Sequence, residues 1–119
     1  METEVMLPPV PSAWLILVDR EIPEKRYEIR RPVISIGSGG DNDIVLNDRA
    51  VSRHHAKIRI EGKKRFIYDL ASTNGTRVNG RKIAKKWIKE GDCIEIGHNK
   101  MAFRTGEIPH YKPSDLLKL

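Results

Sequence analysis

Residues 51–80 read VSRHHAKIRIEGKKRFIYDLASTNGTRVNG. Within this stretch Ala56, Ile58 and Ile60 alternate with Lys57 and Arg59. An extended chain there sends its apolar side chains to one face and its cations to the other. Glu61-Gly62 interrupts the pattern, and a second extended run follows over Arg65–Leu70, with Phe66, Tyr68 and Leu70 in register. Two Asn-Gly pairs, Asn74-Gly75 and Asn79-Gly80, then stand five residues apart. Asn and Gly both tolerate positive φ, so each pair marks a tight turn.

Working outward, further short apolar runs lie at Trp14–Val18, Arg26–Arg30, Val33–Ile36 and Ile44–Leu46, and then at Thr76–Val78, Trp87–Ile88, Cys93–Ile96 and Met101–Arg104. Gly37-Ser38-Gly39-Gly40, Asn47-Asp48, Gly91-Asp92 and Gly97-His98-Asn99 separate them. No stretch carries a long apolar pattern of helical period. The predicted fold is therefore all-β, a β-sandwich of about 10–11 short, mainly antiparallel strands.

A chain of 119 residues is a one-domain length. Pro8, Pro9 and Pro11 make residues 1–12 an extended lead-in, residues 13–106 the expected domain, and 107–119 a tail or linker. Within that tail, Pro113–Leu119 reads equally as a short helix or a frayed end. Hydrophobic residues at 39% and charged residues at 32% are a globular composition.

The net charge of +6 favours an anionic partner: nucleic acid, an acidic membrane or a phosphorylated protein. The charge alone does not choose among them. The cations are scattered in short groups, Arg30-Arg31, Lys63-Lys64-Arg65, Arg81-Lys82 and Lys85-Lys86, and the few aromatics give no evident stacking platform. That argues against specific nucleic-acid recognition and leaves weak binding through a basic surface as an alternative. Cys93 is the single cysteine, which excludes an intramolecular disulfide. The histidines and Cys93 have no metal-ligand spacing, so no metal or cofactor is expected. The apolar run Ala13–Val18 is too short for a membrane span or a signal peptide, and the expected compartment is the cytoplasm. A monomer is expected. Gly37-Ser38-Gly39-Gly40 leads into no helix and so is not a dinucleotide fingerprint. Ser52 and His55 lack a third orienting group or an oxyanion element, so no enzyme is expected.

Taken in order, the segments between Ile36 and Phe103 resemble a known family. They are Ile36-Gly37-Ser38, Asp43-Ile44-Val45-Leu46, Val51-Ser52-Arg53-His54-His55-Ala56, Asp69-Leu70-Ala71-Ser72-Thr73-Asn74-Gly75-Thr76, Val78-Asn79-Gly80 and Gly91-Asp92-Cys93-Ile94-Glu95-Ile96-Gly97. The pattern of a Gly-Arg pair, Ser-x-x-His, Thr/Ser-Asn-Gly, a second Asn-Gly and a late Gly-Asp-x-Ile-x-Ile-Gly is that of the forkhead-associated (FHA) domain. The resemblance runs over residues 14–105. It implies a module that binds phosphothreonine-containing segments of partner proteins in signalling and catalyses nothing.

The same resemblance implies roles for residues. Ser52, Arg53 and Thr73 would contact the phosphate, and Asn74 the peptide main chain. His55 would prop the binding loop, with His54 pointing away into solvent. Gly37 and Gly75 would serve backbone geometry, and Asn79-Gly80 a supporting hairpin turn. The chemistry fits, because a dianionic phosphate needs hydroxyl, amide and guanidinium donors converging from loops on a rigid scaffold.

One position departs from the pattern: Ser38 stands where the family has its arginine. Loss of a charge-assisted contact costs about 1.5–3 kcal/mol, or roughly one to two decades of affinity. Arg53, helped by Arg49 or Arg77, compensates; or binding is weak and relies on avidity; or the domain is a phosphate-independent scaffold or oligomerisation module. The Ser38 hydroxyl with the N–H groups of Gly39 and Gly40 is either a small anion nest or a plain turn.

Overall fold

Alternation of β-branched or aromatic residues with polar ones carries the described residues through eleven strands. They are β1 (Ala13–Val18), β2 (Arg26–Ile29), β3 (Val33–Gly37), β4 (Ile44–Val45), β5 (Ala56–Glu61), β6 (Lys64–Asp69), β7 (Thr76–Val78), β8 (Arg81–Ile83), β9 (Lys85–Ile88), β10 (Cys93–Ile96) and β11 (Asn99–Thr105). The structure, a computed structural model, describes residues 12–18 and 25–106. The lead-in before Ser12 and the tail over 107–119, with its Pro113–Leu119 stretch, lie outside the described residues.

The strands form two sheets, ordered β2-β1-β11-β10-β7-β8 and β4-β3-β5-β6-β9. Every pairing is antiparallel except that of β3 with β4. The core lies between the sheets. Leu15, Ile94, Ile96, Met101 and Phe103 meet Ile36, Ile58 and Ile67, all almost wholly buried. Burial stabilises each such side chain by about 1.5–3 kcal/mol relative to exposure. Among the described residues no helix is long and apolar enough to cross a membrane.

The expected strands form, with three informative differences. Arg81–Ile83 is an additional strand: Asn79 (φ 52°) and Gly80 (φ 84°) make the left-handed turn that folds β8 onto β7. β9 starts at Lys85, and β11 reaches back to Asn99. In β6 the inward residues are Arg65 and Ile67, while Phe66 and Tyr68 lie half-buried on the outer face. The turn at Gly62 (φ 65°) joins Glu61 to Lys64 and places Ile67 opposite buried Ile58. A register shift of one residue would reverse this.

The same pairings gather one set of loops. Ile36 lies opposite Ala56, Ala56 opposite Asp69, and Ile96 opposite Thr76. The β3–β4, β4–β5, β6–β7 and β10–β11 loops therefore share one end of the sandwich.

Candidate functional site

His55 is the axis of that end. Its side chain is fully buried, just before β5. Ser52 N–H donates to His55 Nδ1 at 3.0 Å, so Nδ1 is the bare nitrogen and Nε2 carries the proton. Nε2–H donates to the Gly75 carbonyl at 2.9 Å. The ring thus bridges the β4–β5 and β6–β7 loops and fixes the backbone of Ser52. Above it the Ser52 hydroxyl oxygen accepts from Thr73 N–H at 3.0 Å, and Asn74 Nδ2 donates to the Ala50 carbonyl at 3.0 Å. Three hydrogen bonds from one loop to the other place two hydroxyls and a carboxamide on one surface.

Arg53 is pinned from the opposite side. Its carbonyl accepts from Gly39 N–H at 3.1 Å and from Asn42 Nδ2 at 2.7 Å. The Ser52 carbonyl accepts from Ser38 N–H at 3.0 Å. Gly37 makes this closeness possible, because a Cβ there would lie 2.1 Å from the Arg53 carbonyl oxygen. Asn42 is buried and also donates to the Gly39 carbonyl at 2.8 Å, clasping the β3–β4 loop shut. With its backbone held, Arg53 presents an exposed guanidinium that makes no hydrogen bond or close ion pair among the described residues, although its charge acts on the Asp41 carboxylate.

Two carboxylates brace the remaining loops. Asp69 accepts from the Ser72 hydroxyl (2.5 Å), the Thr76 hydroxyl (2.7 Å) and Ser72 N–H (3.0 Å), while the Ser72 oxygen accepts from Gly75 N–H (2.9 Å). Burial alone would raise the Asp69 pKa, but these hydrogen bonds outweigh it and hold the carboxyl below its ordinary 3.8. Asp48 accepts from His98 N–H (2.7 Å), Ala50 N–H (2.9 Å) and Asn99 Nδ2 (3.1 Å), tying the β10–β11 loop to the β4–β5 loop. The His98 and Ala50 amides keep Asp48 below 3.8.

The structure brings Ser38, Gly37, Ser52, Arg53, His55, Thr73, Asn74 and Gly75 to one end. It does not place Asn79 and Gly80 there. Their turn lies at the other end of β7, where Asn79 donates to Asp92 (2.9 Å) and accepts from Cys93 N–H (2.8 Å), so it braces the start of β10 rather than the binding loops. His54 is exposed, as expected, and there its Nε2 meets the Asp41 carboxylate at 2.9 Å. That hydrogen bond, first among several favourable contacts, lowers the Asp41 pKa. The Ser38 nest loses one of its proposed donors, since Gly39 N–H is committed to Arg53. Sequence reading missed Asn42, Asp48, Asp69 and Lys82. The Lys82 stem crosses the β6–β7 loop, its Cε 2.4 Å from where a Gly75 Cβ would sit. Asp69 stands in the quoted motif, and its offset of three from Ser72 is an Asx-turn signal. Asn42 and Asp48 also make local turn contacts, to Gly39 and Ala50, but their bonds across loops leave no local signal.

A β-sandwich that rigidly presents hydroxyls, a carboxamide and an unpaired guanidinium on converging loops is a recognition module of the anion-binding, peptide-binding kind. The FHA domain family model matches residues 34–97, and the chain belongs to the FHA domain family. It is 36% identical over 99 residues to the glycogen accumulation regulator GarA of Mycolicibacterium smegmatis, covering 82% of this chain and 63% of that protein. The chain thus spans a little under two thirds of that relative's length. A solved FHA domain characterised for phosphothreonine-dependent interactions superposes with a TM-score of 0.74 at 35% identity, covering 82% of this chain and 99% of the other. Mycobacterium tuberculosis EmbR, solved with a low-affinity phosphopeptide, gives a TM-score of 0.78 at 32% identity, over 85% of this chain and 26% of that one.

Proposed function

We propose that this chain is a phosphothreonine-dependent protein–protein interaction module that binds phosphorylated segments of partner proteins in signalling, and that it is not an enzyme. Ser52, Arg53 and Thr73 hold the phosphate. Asn74 holds the peptide main chain with the N–H and carbonyl capacity left after its bond to Ala50. The observation that carries this reading is the His55 bridge, which locks Ser52 beside Thr73 while Arg53, pinned through its own carbonyl, keeps its side chain unpaired. A preorganised set of donors loses little freedom on binding. Ser38 adds at most a hydroxyl where the family has its arginine, and this makes binding weaker than is usual for the family.

Isothermal titration with matched phosphothreonine, phosphoserine and unmodified peptides tests the reading. The phosphothreonine peptide should bind best, and Asn74→Ala should weaken it. Equal binding of all three would sink phosphothreonine recognition and leave a phosphate-independent scaffold.

A further inference from the structure

The outer face of the β4-β3-β5-β6-β9 sheet carries a feature that the phosphate end does not use. Strand registers place Lys57, Tyr68 and Lys85 in one row, and Arg59, Phe66 and Trp87 in the next. Lysine ammonium groups sit over these rings. Nζ of Lys64 and of Lys89 lie 4.0 and 4.7 Å from the Trp87 centroid, Lys85 lies 4.7 Å from Phe66, and Lys57 lies 5.2 Å from Tyr68. The acid on this face, Glu61, is taken by Lys85 (3.3 Å) and the Tyr68 hydroxyl. Next to Trp87 a shallow cavity of about 190 Å³ is walled by Lys64, Lys89 and Thr105. Its acid, Glu90, is engaged by Arg104 at 2.6 Å.

We propose that this face is a second docking surface that takes an acidic, extended segment of a partner protein, independently of phosphorylation and of the Ser52 site. Charge sets the sign of the partner, because the cations outnumber the two acids, Glu61 and Glu90, and both acids are already engaged. The ring geometry sets its class. Ammonium groups lie over the rings, and although Trp87 is 39% exposed, a base stacking on it would have to displace them. The apolar surface lies beneath the ammonium layer, which does not suit insertion into a bilayer. Cation–π contacts instead hold the ammonium groups in place, so a carboxylate meets donors that have little freedom left to lose. The extended conformation follows from β9, an edge strand whose outer main-chain groups have no neighbouring strand among the described residues. Lys85 and Trp87 alternate on β9, about 6.6 Å apart along an extended chain, which is the spacing of alternate side chains on an added strand, and Lys89 follows just beyond its end.

The test is a titration of the ¹⁵N-labelled full chain with an unphosphorylated peptide of alternating glutamate and serine. The expected result is shifts along β6 and β9 and at the Trp87 indole. Affinity should fall at least about tenfold in the K64E/K89E double variant, while the dissociation rate of the phosphothreonine peptide from that variant stays unchanged. Both lysines are exposed, and circular dichroism checks that the variant folds. The proposal is overturned if the peptide fails to bind, binds equally to the double variant, or shifts only the Ser52–Thr73 loops. It is equally overturned if oligothymidylate or phosphatidylserine vesicles bind at Trp87 and the acidic peptide does not.

Discussion

At Ser38 the backbone is held firmly in the loop end while the side chain departs from the chemistry of the family motif. Ser38 N–H still reaches the Ser52 carbonyl, and Gly37 still lets β3 run against Arg53. What changes is the charge offered to an anion, not the shape of the loop. Ser38→Arg should therefore raise phosphopeptide affinity about ten- to a hundredfold without altering the melting temperature. An unchanged affinity would mean that the missing arginine was never limiting. His55 has the opposite profile. It touches no ligand in the proposed site, yet removing its ring orphans Ser52 N–H and the Gly75 carbonyl and opens a cavity in their place. His55→Ala should cost about 2–4 kcal/mol of stability and abolish phosphopeptide binding even well below the melting temperature. Denaturant unfolding paired with calorimetric binding checks both effects, and a stable variant that still binds would remove His55 from this role.

Loops rather than strands differ in how legible they were, and the reason is distance in sequence. Strand positions followed from alternation, and the Asn79-Gly80 turn from residues that accept positive φ. The missed strand β8 has no alternation to read: Arg81 and Lys82 are both exposed, and only Ile83 turns partly inward. Ser52, Thr73 and His55 were legible because the family motif preserves them locally. The bracing roles of Asn42 and Asp48 were not, because the loops they tie in lie eleven and fifty residues away. The structure makes them testable. Asn42→Ala removes two buried donors from the carbonyls of Gly39 and Arg53 and should destabilise the fold by about 1–3 kcal/mol. The carboxylates predict an acid response. Asp48 and Asp69 both have folded pKa values below the ordinary 3.8, so each stabilises the fold above that value and loses its contribution as pH falls through its lowered pKa. Acidification below about pH 4 should release the binding loops. Amide spectra should show residues 48–52, 69–76 and 97–99 shifting together, and Asp48→Asn should remove the first and last groups from that transition. A transition centred above the ordinary carboxylate value would contradict the braced geometry.

Across the whole molecule, the +6 charge acts at two places that the sandwich keeps apart: the loop end with Arg53, and the outer sheet face with its capped aromatic rings. The two should respond differently to salt. Long-range attraction of a dianionic phosphopeptide to a cationic domain speeds encounter and is screened beyond about 8–10 Å near physiological ionic strength. Short hydrogen bonds to Ser52 and Thr73, made on a surface already fixed by His55, govern release instead. Raising salt from about 0.05 to about 0.5 M should slow phosphopeptide association by roughly tenfold while the dissociation rate changes little. The preference for phosphorylated over unmodified peptide should persist across the range. Stopped-flow association and surface-plasmon dissociation measure the two rates separately. If dissociation accelerated as steeply as association slowed, and the phosphate preference vanished with it, the loops would be acting as a diffuse cationic patch, and the convergence of Ser52, Arg53 and Thr73 would have no part in recognition.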